Sequence, residues 1–277
     1  MRRYRNRVAL GFLGCQLRLF RESRPTLDHL CSSFFSSRTK KKRLDVLYED
    51  DVMVAMNKPA GVPTQGGKGV GMSVDAMYSD YKLVHRLDKD VSGVLVMAKT
   101  AAAAKELGYY FQRDALVNKV YWAMVCGSTD SRVGGHHGVI RIPVRGNTAM
   151  TKVDMIERKD DYNLAWMALM PETGRMHQLR IHCADGLGAA ILGDAKYGRT
   201  RDAPQKDILA RVREKLSKEE TPRAVKSWPP IFLHCRELRL PHLDTPPAIK
   251  KDKLFVKIVA PVPDHFTILW NTYGFNT

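Results

Sequence analysis

His85-Arg86-Leu87-Asp88-Lys89-Asp90-Val91-Ser92-Gly93 runs without a break into Val94-Leu95-Val96-Met97-Ala98. A loop dense in charge thus empties into a short apolar run, the signature of a buried strand entered from a polar turn. Upstream, DVLYEDDVMVAMNKP (45–59) alternates as two short strands around an acidic turn, a hairpin. GGKGVG (66–71) lacks the preceding strand, following helix and distant acid of a phosphate cradle and reads as a mobile loop. Downstream, Thr100 is placed to N-cap a helix over 101–113. Strand patterns then recur at 119–126, 139–144, 150–157 and 164–170, and MHQLRIHCAD (176–185) has helical spacing. Residues 199–227 are highly charged and read as an exposed insertion, partly helical over 207–219. FLHCRELRL and LFVKIVAPV close the chain as strands, before a short helix after Asp264. Strands with a few interspersed helices predict an α+β fold: a mixed, largely antiparallel sheet with flanking helices.

The charge, +16 overall, points to a polyanionic partner, nucleic acid first. Most of it, +10, lies in residues 1–43, which hold nine Arg and three Lys against Glu22 and Asp28. Leu10, Leu13, Leu17 and Phe20 fall at helical spacing beside Arg7, Arg18 and Arg21, the amphipathic basic pattern of a mitochondrial presequence. A disordered basic arm that holds RNA is the competing reading, but an arm has no need of the apolar face. Either way, residues 44–277 form the expected catalytic domain, and the expected location is the mitochondrial matrix. No apolar run approaches the roughly 20 residues that span a bilayer, so no membrane partner is expected. Five cysteines, Cys15, Cys31, Cys126, Cys183 and Cys235, are odd in number and far apart. That spacing suits inert thiols in a reducing compartment, not a disulfide framework or zinc knuckle.

Two segments combine charge with apolar strands beyond what packing requires. The first is the Asp88 loop. The second is Gly174-Arg175-Met176-His177-Gln178-Leu179-Arg180-Ile181-His182, which opens a helix. Together they offer a carboxylate beside cations, which suits a nucleophile or base better than a general acid. On pattern alone, a salt-bridged turn and a basic helix start explain the same letters.

HRLDKDVSG resembles the HRLDxxTSG motif of the RluA-like RNA pseudouridine synthases, and five further segments follow that family's order. Asn57-Lys58-Pro59-Ala60-Gly61 resembles NKPxG, Lys119-Val120-Tyr121 resembles KxY, and GRMHQLRIH resembles GRxHQ[IL]RxH. Gly193-Asp194-Ala195-Lys196-Tyr197-Gly198 resembles GDxxYG, and Leu233-His234 resembles the LH that opens the late strand. One such motif is weak; six in order across residues 44–270 are strong. The resemblance implies a pseudouridine synthase sheet, an RNA substrate (rRNA or tRNA), and no metal or organic cofactor. It implies that Asp88 attacks the target uridine, at the anomeric carbon or by abstracting a sugar proton. Tyr121 then stacks on the uracil and assists loss of the C5 proton, while Arg180 pairs with the carboxylate. Physical chemistry agrees: breaking the glycosidic C–N bond builds positive charge on the sugar, which a fixed carboxylate stabilises. A stacked base must also be flipped out to be reached.

His85, Arg86 and Leu87, beside the carboxylate, are expected on the substrate, contacting backbone or wedging into the stack; loop bracing is the alternative for His85 and Arg86. Arg175, His177 and Gln178 are expected on phosphate or orienting Arg180, with helix capping the alternative. Lys58 is expected in the pocket wall. Trp122 alternates with Tyr121 and should face the opposite side of its strand, and His136-His137 reads as a solvated turn. Val91 stands where the family has Thr, LGAAILGD replaces GxPIxGD, and residues 44–57 leave no room for an S4 RNA-binding module. These departures keep a second function open: a non-catalytic RNA-binding or ribosome-assembly factor that retains the fold. A mitochondrial ribosome assembly intermediate is an expected partner on either reading. A glycosidase is disfavoured, because Asp88 and Asp90 flank one lysine and the second segment supplies no acid.

Overall fold

The computed structural model describes residues 43–67, 72–112, 116–127, 137–198, 203–218, 231–243 and 255–276. The leader, most of the Gly-rich loop, His136 and much of the 199–227 insertion lie outside them.

The acidic turn joins β1 (Val46–Glu49) to β2 (Met53–Lys58) as an antiparallel hairpin. Asp50 makes the turn: its Oδ1 accepts the Val52 and Met53 amides at 2.9 and 2.8 Å, and its own amide donates to the Met53 carbonyl at 3.1 Å. A short α1 (Val74–Met77) and β3 (Lys82–Leu83), neither predicted, lead to the Asp88 loop. β4 (Ser92–Ala98) is buried along its whole length, as the uninterrupted apolar run requires of a strand covered on both faces. Thr100 caps α2 (Ala101–Gln112), its Oγ1 accepting the Ala103 amide at 3.1 Å.

β5 (Asn118–Cys126), β6 (His137–Ile140), β7 (Thr151–Lys159) and β8 (Leu164–Pro171) follow. β6 begins earlier and ends earlier than 139–144: His137 opens it, paired through Nδ1 to Asp154 at 2.7 Å across the ladder, so it is not in a turn. The MHQLRIHCAD segment forms α3 (Gln178–Ile181) and then widens into a π turn over His182–Gly186. β9 (Ala190–Ile191), α4 (Ala203–Lys218), β10 (Leu233–Pro241), β11 (Phe255–Val259) and α5 (Asp264–Tyr273) complete the order. α4 corrects the picture of a merely exposed insertion. Ile208, Val212 and Leu216, spaced four apart, are all buried, and Lys215 reaches Thr272 on α5 at 3.0 Å.

The sheet runs β1-β2-β4-β10-β5-β8-β7-β6, with β3 on β4, β9 on β5 and β11 on β10. Every described pairing is antiparallel except β4 with β10, where Ser92 and Gly93 lie beside His234 and Cys235. On one face α5 packs through Trp270 against Trp122 and Trp166, at ring-centroid distances of 5.8 and 4.4 Å. Tyr121, next to Trp122 on β5, therefore points to the other face, where the cleft opens. Cys126, Cys183 and Cys235 are free and buried; burial pushes the Cys235 thiol up to about 12, so it stays protonated and inert.

Candidate active site

Asp88 sits on the loop that carries the chain from β3 to β4, and that loop is fixed from three sides. Its C-terminal end enters the parallel junction. Ser92 Oγ lies 2.9 Å from His234 Nδ1, and Gly93 adopts a φ of +114° where a Cβ would stand 2.2 Å from the Cys235 carbonyl oxygen. Only glycine fits there. Two motifs far apart in sequence, HRLDKDVSG and the late Leu233-His234, thus meet at one point. The middle of the loop is held by the segment after β2. Thr64 Oγ1 donates to the Leu87 carbonyl at 2.7 Å, and the Gly61 amide donates to the Lys89 carbonyl at 2.9 Å. Val91 packs in the core at 3% exposure, its amide on the Asp88 carbonyl at 3.1 Å, so an apolar side chain suits this position here.

Lys58 belongs to this clamp and not to the pocket wall. Fully buried, its Nζ donates to the carbonyls of Pro59, Val62 and Lys89 at 2.9, 2.8 and 3.0 Å. Burial pushes its ammonium down to about 7, with the charges of Asp90 and Asp88 opposing.

Arg180 projects from α3 toward Asp88. Its Nε and Nη2 are held by Asp194 Oδ2 and Oδ1 at 2.7 and 2.8 Å, leaving Nη1 3.4 Å from Asp88 Oδ2. Asp194 is itself fixed: its Oδ1 accepts the amides of Lys196 and Tyr197 at 2.9 and 3.0 Å. Burial would raise its carboxyl, but the Arg180 hydrogen bond, the two amides and the Arg180 charge outweigh that and hold it below the ordinary carboxylate value. The fork of the guanidinium is therefore spent on Asp194, and Asp88 faces one cation without a short partner of its own. Tyr197 backs the arrangement, its ring centroid 5.2 Å from the guanidinium carbon and its hydroxyl 2.9 Å from His177 Nδ1. His177, in a left-handed conformation at φ +58°, brings Nε2 to 3.7 Å from Asp88. Burial, then the cations Arg180, Lys196 and Arg145, lower its pKa against the pull of Asp88, so the imidazole is neutral.

Tyr121 completes the constellation. Burial, then Cys235 and then Asp88 raise its phenol well above the ordinary value, so it meets a substrate as a neutral ring and hydroxyl. Asp88, Tyr121, Arg180, His177, Arg86 and Arg175 all line one cavity of about 600 Å³. A carboxylate without a tight partner, a cation locked beside it and an aromatic wall can stabilise a sugar cation or attack a sugar carbon.

Three expected substrate contacts have other work. His85 Nε2 accepts the Val96 amide at 2.9 Å and its ring stacks on Phe111 at 4.2 Å; burial lowers its pKa to about 3, so it braces the loop as a neutral ring. Gln178 is buried with both ends used: Oε1 accepts Thr173 Oγ1 and the Arg175 amide, and Nε2 donates to the Met150 carbonyl and Thr151 Oγ1, all within 3.0 Å. Leu87 lies in the core at 5% exposure and offers the cavity only an edge. Arg86 and Arg175 are exposed at the rim, Arg86 3.4 Å from Gln65 Oε1 and Arg175 donating to the Thr148 carbonyl at 3.0 Å. Asp194 and Tyr197, in GDAKYG, and Lys119, in KVY, have no role that sequence alone assigns; the GDAKYG spacing is the available signal for the first two, since an Asp two and three residues before the amides it accepts forms its own turn.

Residues 52–185 match the family model described as RNA pseudouridylate synthase. Ribosomal large subunit pseudouridine synthase C of Rickettsia prowazekii (strain Madrid E) is 38% identical over 178 residues, covering 57% of this chain and 58% of that protein. RNA pseudouridine synthase 4, mitochondrial, of Arabidopsis thaliana is 28% identical over 282 residues, covering 82% of this chain and 59% of that protein. The chain therefore spans less than two thirds of the length of these relatives. Among solved structures, Human RNA Pseudouridylate Synthase Domain Containing 4 shares the fold at a TM-score of 0.62 and 24% identity, covering 84% of this chain and 94% of that one. Residues 52–185, which carry both the Asp88 loop and Arg180, are thus similar to the RNA pseudouridylate synthase family model.

Proposed function

We propose that this chain isomerises uridine to pseudouridine in structured RNA, with Asp88 as the catalytic carboxylate. The observation that carries the proposal is Asp88 facing Arg180 Nη1 at 3.4 Å while Asp194 holds the rest of that guanidinium, in a cavity walled by Tyr121. A target uridine flipped into the cavity presents its sugar to Asp88 and its base to the Tyr121 ring. As the C1′–N1 bond breaks, Asp88 stabilises the sugar cation or attacks it. The cavity walls keep the freed uracil until it turns and C5 bonds to C1′, releasing Asp88 where it had bonded; C5 then loses its proton and N1 takes one up, so the product is an isomer. No base leaves. The cations at the rim, Arg86 and Arg175, meet the backbone phosphates.

The substrate we infer is mitochondrial RNA, ribosomal or transfer. The basic amphipathic leader supports that location, as do the printed names of the plant relatives; the rickettsial relative is named for the large ribosomal subunit. A ribosome assembly intermediate is the partner in which such an uridine would be accessible. The test is a pseudouridine map of mitochondrial and cytosolic RNA in cells carrying the wild-type chain or Asp88→Asn at matched abundance. Sites that vanish with Asp88→Asn name the substrate. An unchanged map, with RNA or ribosome assembly still impaired by deletion, would replace catalysis with RNA binding as the function.

A further inference from the structure

His177 opens α3 but does not cap it. An N-cap residue usually keeps extended backbone and offers a side-chain acceptor to the first turn; His177 stands at φ +58° and makes no capping bond. A left-handed residue other than glycine persists where its surroundings over-determine it. Here both ring nitrogens are engaged away from the helix: Nδ1 lies 2.9 Å from the Tyr197 hydroxyl and Nε2 3.7 Å from Asp88 Oδ2. Burial, with the cations Arg180, Lys196 and Arg145 outweighing Asp88, keeps the imidazole neutral. It therefore carries one proton, and its two neighbours decide where. With the proton on Nδ1, the Nε2 lone pair would face a carboxylate. With the proton on Nε2, an N–H faces the carboxylate and Nδ1 accepts from the Tyr197 hydroxyl, so both contacts are favourable. The side chain is only 19% exposed, so water does not make the choice.

Tyr197 and Asp194 belong to one turn, since Asp194 Oδ1 accepts the Tyr197 amide at 3.0 Å. That turn has two arms. Asp194 locks Arg180, whose Nη1 comes to 3.4 Å from Asp88 Oδ2; Tyr197 fixes His177, whose Nε2 approaches the same oxygen. Both separations are longer than a strong hydrogen bond, so a charge and a dipole act on Oδ2 from two sides. Among the described residues, no hydrogen bond or ion pair reaches Asp88 Oδ1.

Resting on the function proposed above, we infer that His177, set by Tyr197, is a positioning residue for Asp88: with Arg180 it fixes Oδ2 and leaves Oδ1 as the oxygen that meets the sugar. A carboxylate free to rotate would present either oxygen at any angle. Two N–H groups on one oxygen stop that rotation, and orientation is where a fixed carboxylate gains its rate. A phosphate contact at His177 would instead hold the RNA and leave the chemical step alone.

The full chain is used throughout. Nitrogen NMR of the imidazoles, with the His177 signal identified by its loss in His177→Asn, reports which nitrogen carries the proton. Asparagine tolerates the left-handed backbone and has no atom where Nε2 stands. Nε2–H is expected in the wild type, and a mixture of tautomers in Tyr197→Phe, which keeps the ring beside Arg180. Single-turnover isomerisation is followed on RNA extracted from cells lacking this chain, and Kd for the same RNA is measured in an Asp88→Asn background. His177→Asn should slow the chemical step by about 10- to 100-fold, the upper figure being the cost of misplacing a group by roughly 1 Å. It should leave Kd within about twofold. Tyr197→Phe should slow the wild type and add nothing to His177→Asn. A proton on Nδ1 in the wild type, or weakened RNA binding with an intact chemical step, would overturn the inference. If the wild type forms no pseudouridine, the reaction falls, and the tautomers of the wild type and Tyr197→Phe alone decide whether His177 is held against Asp88.

Discussion

Asp194→Asn tests whether Arg180 acts where Asp194 holds it. The side chains are 1% and 12% exposed, so the pair is shielded from solvent. Two charge-assisted hydrogen bonds, at 2.7 and 2.8 Å, lose their anion. Removing one partner from a buried pair costs about 3–5 kcal/mol. Asparagine keeps one acceptor oxygen for the Lys196 and Tyr197 amides, so the low end, about 3 kcal/mol, is expected. For a folded unit of this size that lowers Tm by about 6–12 °C. Activity should fall further than stability explains. Released from Asp194, the guanidinium closes its 3.4 Å gap and pairs directly with Asp88, a shift of the order that costs about 100-fold in turnover. The pH dependence has a fixed sign. Asp194 is held below the ordinary aspartate value of 3.8, so its stabilisation is present above that pH and disappears as pH falls through the depressed value. The gap in Tm between the two proteins should therefore narrow only below about pH 3.8. Thermal unfolding and single-turnover pseudouridine formation, repeated in an Arg180→Met background, read all of this. A Tm shift within about 2 °C, or a loss of turnover as large without Arg180 as with it, would refute the reasoning.

Lys58→Met tests the clamp behind the Asp88 loop. Three carbonyls need three N–H groups, so activity of the wild type should decline as pH rises through about 7 and the ammonium discharges, while Lys58→Met is weak at every pH. Stability moves the other way: between about 7 and 10.5 the unfolded chain holds the proton and the folded one does not, so stability gains at most about 1.4 kcal/mol per pH unit, and the mutant should lack that slope in denaturant titrations. Gly93→Ala should destabilise by about 4 kcal/mol or more, because its methyl meets backbone at 2.2 Å and the positive φ adds strain. A soluble Gly93→Ala protein with wild-type Tm would show that the β4–β10 junction can open.

The parts of the fold written as local pattern were readable. The uninterrupted Val94–Met97 run, the Asp50 turn and the Thr100 cap each depend on neighbours within a few residues, and each is where its letters put it. The wider turn after Ile181 was not readable, because a π turn and an α turn share the same apolar spacing. The helix of α4 was readable over most of its length, but its buried face was not, for a different reason. Counting charge over 199–227 conceals three apolar residues that face one way, and their partner, α5, lies some sixty residues on.

The site divides along the same line, and the division explains why residues that resemble a family's motif can do unlike work. Asp88, Tyr121 and Arg180 reach the cleft, but the residues around them in the motifs mostly do not. His85 spends Nε2 on the Val96 amide, Lys58 its three protons on carbonyls, Gln178 both ends of its amide, and Ser92 its hydroxyl on His234. Each is polar, and in sequence each looks like a ligand. A buried polar group without a partner is costly, so a polar residue next to a catalytic one is drawn first to the backbone that holds the loop. Asp88 is the exception. Its carboxylate is 30% exposed, the nearest cation stands at 3.4 Å, and that cation already belongs to Asp194. The chain could have given Arg180 wholly to Asp88 and stabilised the loop. It supplies a second, deeper carboxylate for that purpose and leaves the first one facing the cavity, an arrangement that folding alone does not require and that suits the proposed reaction at a sugar carbon.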